Sequence, residues 1–391
     1  MMTGNRVSLR AGSTHSSLAA LTPFFLVVVV GGGSAGVNIA RPLSSQLDAT
    51  KYKLTLINPR PFRVALPATL RMIVSDVDDL ATTALVPYDK LFHDNKGTLL
   101  QDFVDGINQE EGETSGVLTL GSGEKVPYDI LILASGLSWQ DFIAFPDSPE
   151  DVKSYLSSSR EKFSGAKSYL LVGGGAVASE LAGEIKDIYP TKEVTIVHSQ
   201  RLLLNDTYPD KYRTSVARGL AARGVKIHLD DVVENIPTIG AITTRGGLEL
   251  SADLIIKATG AVYPNTAFVK TLNPNTLTAA GFVKVKPTLQ LLNYPNIFAA
   301  GDIVDWNEQK QAIKAGAHAQ LVTKNVISYI KGASLKTYST AMELIVLTNG
   351  KAGGVSYFGI LWGIVLGAWF TRWAKSKALL VPMFRKESGL V

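Results

Sequence analysis

Residues Val27 to Gly36 read V-V-V-V-G-G-G-S-A-G, four β-branched residues running straight into a glycine turn. The pattern predicts a buried strand that ends in a phosphate loop. Gly31, Gly33 and Gly36 stand in G-x-G-x-x-G spacing. The first glycine permits the tight turn, the second lets backbone approach a diphosphate, and the third lets the next helix pack on the strand. Val37 to Leu47 is helix-compatible apart from Pro42. The free N–H groups and positive dipole end of that helix would therefore face the diphosphate. Glycine turns of this kind also occur without a ligand, so the rest of the chain has to decide.

Further along, the pattern returns. Tyr169 to Glu184 reads Y-L-L-V-G-G-G-A-V-A-S-E-L-A-G-E, with Gly173 placed 142 residues after Gly31. Gly173 and Gly175 keep their places and Ala178 stands for the third glycine, a change that still permits close helix packing. Each unit then closes on a similar strand: Tyr128–Gly136, Y-D-I-L-I-L-A-S-G, and Ala252–Gly260, A-D-L-I-I-K-A-T-G. Paired loops with matching exits imply two nucleotide sites in an α/β fold. Val283 to Leu291 reads as a short strand region, and Asn296 to Asp302, N-I-F-A-A-G-D, as an apolar strand ending on an aspartate, before the helix-compatible run Lys310 to Ile330.

The second strand of each unit ends without an acid. Tyr52–Ile57 stops at Asn58, where dinucleotide folds usually offer Asp or Glu to the ribose hydroxyls; an amide can bond there, but without charge. Glu193–Val197 stops at His198-Ser199 with Arg201 nearby. Neutral residues beside an arginine accommodate a 2′-phosphate, leaving NADPH as open as NADH, while an exposed arginine at a helix start is the plainer reading. Arg60 to Arg71, R-P-F-R-V-A-L-P-A-T-L-R, mixes arginines with prolines that forbid a long helix. It reads either as a basic loop wrapping cofactor phosphates or as a solvated surface loop. Phe103, Val104 and Ile107 suggest an edge strand, and Val117–Leu120 with Val126 a hairpin across Gly121-Ser122-Gly123.

Composition narrows the chemistry. At 391 residues and 46% hydrophobic content the chain is long enough for two or three cored domains. It contains no cysteine, which excludes a redox-active disulfide and thiolate metal sites, and five scattered histidines without ligand spacing predict no metal site. The net charge of +5 divides unevenly: residues 1–47 carry +3, residues from Lys324 onward +7, and the body between them −5. An acidic body argues against nucleic-acid binding. A basic end beside an apolar one suits an anionic membrane surface, a solvated tail being the plainer reading of charge alone.

The ordered set G-G-G-S-A-G (31–36), I-L-A-S-G (132–136), G-G-G-A-V-A-S-E-L-A-G-E (173–184), I-I-K-A-T-G (255–260) and I-F-A-A-G-D (297–302) resembles the pyridine nucleotide-disulfide reductase superfamily. Within it the likeness is to the branch of apoptosis-inducing factor and ferroptosis suppressor protein. The resemblance implies FAD and NAD(P)H as cofactors, held by two Rossmann-like domains, with the NAD(P)H domain inserted in the FAD domain. The implied divisions are an extension (1–22), the first part of the FAD domain (23–150), the NAD(P)H domain (151–274), the second part of the FAD domain (275–338) and a membrane-associating C-terminal region (339–391). Gly31, Gly33, Ser34, Ala35 and Gly36 would cradle the FAD diphosphate, with Asn58, Arg71, Val104 and Gly136 along the same site and Asp302 at the ribityl or phosphate region. Gln311 and Lys310 would stand at the helix start facing the flavin pyrimidine edge, Lys310 adding catalytic charge there or, as a solvated residue, none. Gly173, Gly175, Glu180, Arg201 and Gly260 would serve NAD(P)H, with Glu180 beside the nicotinamide end.

In such a protein NAD(P)H gives hydride to the flavin, and electrons then pass to an acceptor. Without cysteines there is no dithiol relay, which leaves a quinone, oxygen or a dye. Residues 352–371 are twenty uncharged residues between Lys351 and Arg372, the minimum for a spanning helix. Their glycines and aromatics, and the W-A-K-S-K run after them, favour attachment at the interface first, a single span second and buried core third. Membrane association on the cytoplasmic face or in mitochondria follows, and with it a lipid-soluble quinone. The Ser, Thr and Ala-rich residues 1–22, with Arg6 and Arg10 and no acid, have transit-peptide composition and equally that of an unstructured extension. The alternative is a flavoprotein whose main role is signalling or binding with slow turnover, as in apoptosis-inducing factor, motivated by the departures at Asn58 and His198. Oligomeric state stays open.

Overall fold

A computed structural model describes residues 24–260 and 263–390, so the transit-peptide reading of residues 1–22 lies outside the described residues. Four β-branched residues in a row need apolar surroundings on both faces, and the chain supplies them. Strand Phe25–Val30 lies in the middle of a five-stranded parallel sheet, in the order Ile297–Ala299, Ile130–Leu133, Phe25–Val30, Tyr52–Ile57, Thr98–Leu100. Val27 and Val29 are wholly buried, as are Ile130 to Leu133 alongside. Helix Ser34–Gln46 covers one face and packs on helix Ala312–Ile330; it runs through Pro42 without ending there.

A second parallel sheet of four strands, Val225–His228, Glu193–Val197, Ser168–Val172 and Leu254–Lys257, comes wholly from residues lying in sequence between Ile130–Leu133 and Ile297–Ala299 of the first. Helix Ala176–Ile188 follows its glycine loop. The expected hairpin is present, Gly116–Leu120 pairing with Lys125–Tyr128 and with Val104–Asn108 in a small antiparallel sheet. Val283 to Leu291 is not a strand: Leu289 turns back at φ +62°, and the segment pairs only through isolated bridges such as Val285 with Leu291.

The basic stretch after Asn58 is neither a solvated loop nor free of helix. Phe62–Val64 pairs with Leu85–Pro87, and Leu66–Val74 forms a short helix whose Pro67 sits in the first turn, where a missing N–H leaves no bond unmade. Arg71 on that helix is buried and binds Glu184 of the second unit, at 2.8 Å and 3.0 Å, and the Ser376 carbonyl at 2.9 Å. Its expected role at the cofactor is therefore corrected: the guanidinium ties together helices of the two units and the C-terminal segment. Burial pushes the Glu184 carboxyl above the ordinary glutamate range, and Arg71 offsets part of that rise.

The uncharged stretch 352–371 is not one continuous helix; only Ala368–Thr371 within it is helical. Leu344–Asn349, Gly353–Phe358 and Ile364–Leu366 form a three-stranded antiparallel sheet, and among the described residues no helix is long and apolar enough to cross a membrane. Gly354, inside the strand Gly353–Phe358, and Gly363, in the loop after it, take φ +139° and +91°, which a continuous helix does not allow. The sheet packs on helices Ala176–Ile188 and Asp210–Ala221, and helix Val381–Glu387 reaches back to Ser34–Gln46.

Arg71→Met strands Glu184 in a dry setting and should lower stability by about 3–5 kcal/mol. The double change Arg71→Met/Glu184→Leu removes both charges and should restore most of that loss. Urea unfolding of the two variants reads the difference, and equal losses would show that the pair does not act through charge.

Candidate functional site

Both glycine loops are built on the same backbone contact. Gly31 takes φ +103°, and a side chain there would strike the Ala134 carbonyl at the exit of the neighbouring strand; Gly173 takes φ +110° and stands in the same relation to the Ala258 carbonyl. A Cβ on Gly36 would strike the Gly31 carbonyl, while Ala178, its counterpart, fits fully buried. By contrast a Cβ on Gly33 or Gly175 would meet nothing within 4 Å among the described residues. The two middle positions of the fingerprint thus face open space at the N-terminus of a helix, a setting that accepts an anionic diphosphate.

The non-acidic strand ends explain themselves. Asn58 turns its Oδ1 back to accept the Gly32 N–H at 2.8 Å and donates to the Arg60 carbonyl at 2.8 Å. His198 does the same work in the second loop, its Nδ1 accepting the Gly174 N–H at 3.0 Å, so that this nitrogen is unprotonated. Burial pushes the His198 imidazole below the ordinary histidine range, which keeps it neutral. The Tyr88 hydroxyl donates to the Gly32 carbonyl at 2.7 Å. Both loops are fixed by side chains before any ligand arrives.

Arg63, not singled out from the sequence, is the arginine of this run that bonds a residue of the first loop. It is buried, donates to Ser34 Oγ at 3.0 Å beside the first loop, pairs with Glu387 at 2.8 Å and lies over the Phe384 ring. Its Nε has no partner among the described residues. The R-P-F-R run was the available signal, yet nothing in it distinguishes Arg63 from its neighbours. Val104 opens its strand buried, four residues after Leu100, whose carbonyl holds the Asn58 N–H. Gly136 turns at φ +70° and Gly260 at φ +106°, each just past the exit of its unit.

Asp302, Lys310 and Gln311 come together ahead of helix Ala312–Ile330. Burial pushes the Asp302 carboxyl up and the Lys310 ammonium down, each offset in part by the other's charge. Lys310 Nζ donates to the Val304 carbonyl at 2.6 Å, so it is not a freely solvated side chain. Gln311, the residue before the first helical turn, donates to the Tyr208 hydroxyl at 2.7 Å, while its buried Oε1 has no partner among the described residues. An unmet acceptor beside a helix N-terminus fits a ligand that brings its own donor, as a flavin ring does.

On the second loop's side, Glu180 is nearly buried and accepts from Lys375 at 2.6 Å and from the Thr348 N–H at 2.8 Å, both through Oε1. Arg201 is exposed and makes two bonds to Asp210, at 2.8 Å and 2.7 Å. A 2′-phosphate would have to displace that carboxylate.

A model of the pyridine nucleotide-disulphide oxidoreductase family matches residues 25–320. The FAD-dependent oxidoreductase FVFD30 of Flammulina velutipes is 48% identical over 321 residues, which cover 81% of this chain and 99% of that protein. Ferroptosis suppressor protein 1 of Homo sapiens is 29% identical over 97% of this chain and 96% of its own length. The sulfide:quinone oxidoreductase of Aquifex aeolicus superposes with a TM-score of 0.73 at 18% identity, covering 93% of this chain and 90% of that one, a likeness of fold.

Asp210→Asn leaves Arg201 without its carboxylate partner. The ratio of kcat/KM for NADPH to that for NADH, measured by flavin-dependent dye reduction, should rise about tenfold, the size of one charge-assisted hydrogen bond. An unchanged ratio would show that Arg201 does not meet the 2′ position.

Proposed function

Because the chain belongs to the pyridine nucleotide-disulphide oxidoreductase family, and is an FAD-dependent oxidoreductase using NAD(P)H, we propose that it passes electrons to a quinone-type acceptor at a membrane surface. The flavin, when bound, accepts hydride and releases electrons singly or in pairs. The chain's own residues supply position and field. In this reading Gly31, Gly33, Ser34, Ala35 and Gly36 hold the FAD diphosphate, helped by the buried charge of Arg63. Asp302 accepts hydrogen bonds from the same cofactor, and Gln311, at the positive end of a nineteen-residue helix, meets the flavin's polar edge. Lys310 adds positive charge nearby. Gly173 and Gly175 hold the diphosphate of NAD(P)H, and Lys375 fixes the Glu180 carboxylate that would meet its nicotinamide end.

The observation that carries the acceptor is the apolar rim of the C-terminal sheet. Trp362 is fully exposed at a hairpin tip beside Leu361, and Trp369 and Trp373 are largely exposed nearby. Arg372 and Lys377 are exposed in the same segment. Large apolar side chains with cations beside them suit the headgroup boundary of a bilayer. The rim is also joined to the flavin side: Gln311 bonds Tyr208, whose ring lies 6.1 Å from Tyr357, and Tyr357 packs against Gly363 next to Trp362. Lys375, from the same basic run, is spent on Glu180, so only part of that run is available to lipid. The absence of cysteine from these residues leaves no dithiol relay to compete with a small acceptor. The features that motivated a slow signalling protein, Asn58 and His198, are accounted for as loop braces and no longer favour that reading.

An anaerobic spectral titration tests the reaction: NADH or NADPH should bleach the bound flavin, and a short-chain quinone should restore its colour. A flavin that stays bleached in excess quinone but recovers with oxygen would sink the quinone reading. For the membrane part, Trp362→Ser/Trp369→Ser/Trp373→Ser should abolish sedimentation with phosphatidylserine-containing liposomes while leaving the bleaching by NAD(P)H intact. If the triple variant still pellets with them, the rim is not the contact.

A further inference from the structure

Behind Asp302 lies a buried cluster of charged and titratable groups that neither glycine loop uses. His318, on the helix that starts after Gln311, accepts the Gly301 N–H through Nδ1 at 3.1 Å. A backbone N–H can only donate, so the imidazole proton sits on Nε2. That nitrogen lies 3.0 Å from a Glu308 carboxylate oxygen, close enough for strong attraction though short of hydrogen-bond alignment. The side chains of both residues are 1% exposed. Glu308 also accepts from the Tyr338 hydroxyl at 2.9 Å and faces Lys314 Nζ at 3.7 Å; Lys314 continues to Glu343 at 2.8 Å and to the Ala341 carbonyl. Tyr338 stands edge-on to the imidazole, with ring centres 4.4 Å apart.

We propose that His318, held in one tautomer by the Gly301 N–H, is a positioning residue for the Gly301–Asp302 turn and thereby for the grip of Asp302 on the flavin. Gly301 takes φ +78°, and its N–H is the group at which the strand Ile297–Ala299 hands over to that turn. Nothing in the strand ladder holds it there. The imidazole does, in the manner of Asn58 at Gly32 and His198 at Gly174. Neutral imidazole is required, since a proton on Nδ1 would expel the Gly301 N–H, and the surroundings provide it: burial first, then the charges of Lys310 and Lys314, hold His318 down to about 4. Glu308 stands beside the Nε2 proton, and Lys314 and the Tyr338 hydroxyl keep its carboxylate from being stranded.

The inference rests on Asp302 facing the flavin and is independent of the acceptor. Four proteins are compared: wild type, Asp302→Asn, His318→Phe and His318→Asn, the last offering an amide oxygen near the place of Nδ1. The readouts are FAD affinity from flavin fluorescence, the visible circular dichroism of the bound flavin, and the melting temperature of the flavin-free protein. His318→Phe should weaken FAD about tenfold, the worth of one buried hydrogen bond, and alter the flavin dichroism. His318→Asn should restore both. If Asp302→Asn weakens FAD but His318→Phe changes only the flavin-free melting temperature, the positioning role is overturned and Asp302 stands. If Asp302→Asn leaves FAD untouched, the reading of Asp302 falls and this inference with it. Nitrogen-15 spectra of histidine-labelled protein supply a test free of flavin: the His318 ring should be neutral with its proton on Nε2 at pH 7, and a proton on Nδ1 would overturn the arrangement.

Discussion

At each loop three pieces of backbone meet in a space that has no room for a side chain. The first glycine lies against the carbonyl of the alanine that leaves the neighbouring strand, Ala134 for Gly31 and Ala258 for Gly173. The strand order follows from this contact, because the exit strand must be the direct neighbour of the loop strand for its last carbonyl to arrive there, and in both sheets it is. Once the turn is closed, the following helix has one available direction, and its N-terminus faces the open side of the next glycine. The side-chain braces from Asn58, His198 and Tyr88 then hold an arrangement that a ligand would otherwise have to organise, which lowers the entropy lost on binding.

A second layer of organisation is electrostatic and works at long range. Arg63, Arg71 and Lys375 each pair with a carboxylate far away in sequence, at Glu387, Glu184 and Glu180. These pairs stand between elements rather than inside them, so they set how the two units and the C-terminal segment seat on one another. A buried pair of this sort adds little net stability relative to an apolar contact, but breaking one partner away is strongly unfavourable. The contribution is therefore to specificity of arrangement: misplacing any of the three elements leaves a charge in a dry place.

What the sequence made legible was whatever depends on near neighbours. The loops, their strands and the paired exits are local patterns, and Gly31, Gly173 and Ala178 do what the spacing implied. Asp302 with Lys310 and Gln311 also came together, since nine residues of chain separate them. Arg71 was misread because its partner lies 113 residues away, and no local feature tells an arginine bound for Glu184 from one bound for a phosphate. Arg63 was missed for the same reason. The spanning helix, second among the readings of the tail, failed differently: an uncharged run of twenty residues meets the length rule for a span, while the positive φ of its glycines at 354 and 363 breaks a continuous helix. The Glu308–His318 pair has no sequence signature at all.

The reach of the C-terminal segment has a consequence for the order in which the protein is made. Arg63 finds its carboxylate only at Glu387, 324 residues later, and Arg71 finds a third of its bonds at Ser376. During synthesis the first glycine loop and its sheet partners Tyr52–Ile57 and Ile130–Leu133 emerge early, yet the cation beside Ser34 stays uncompensated until residue 387 has left the ribosome. A nascent chain halted before that point would carry both glycine loops and still lack the carboxylate that Arg63 pairs with.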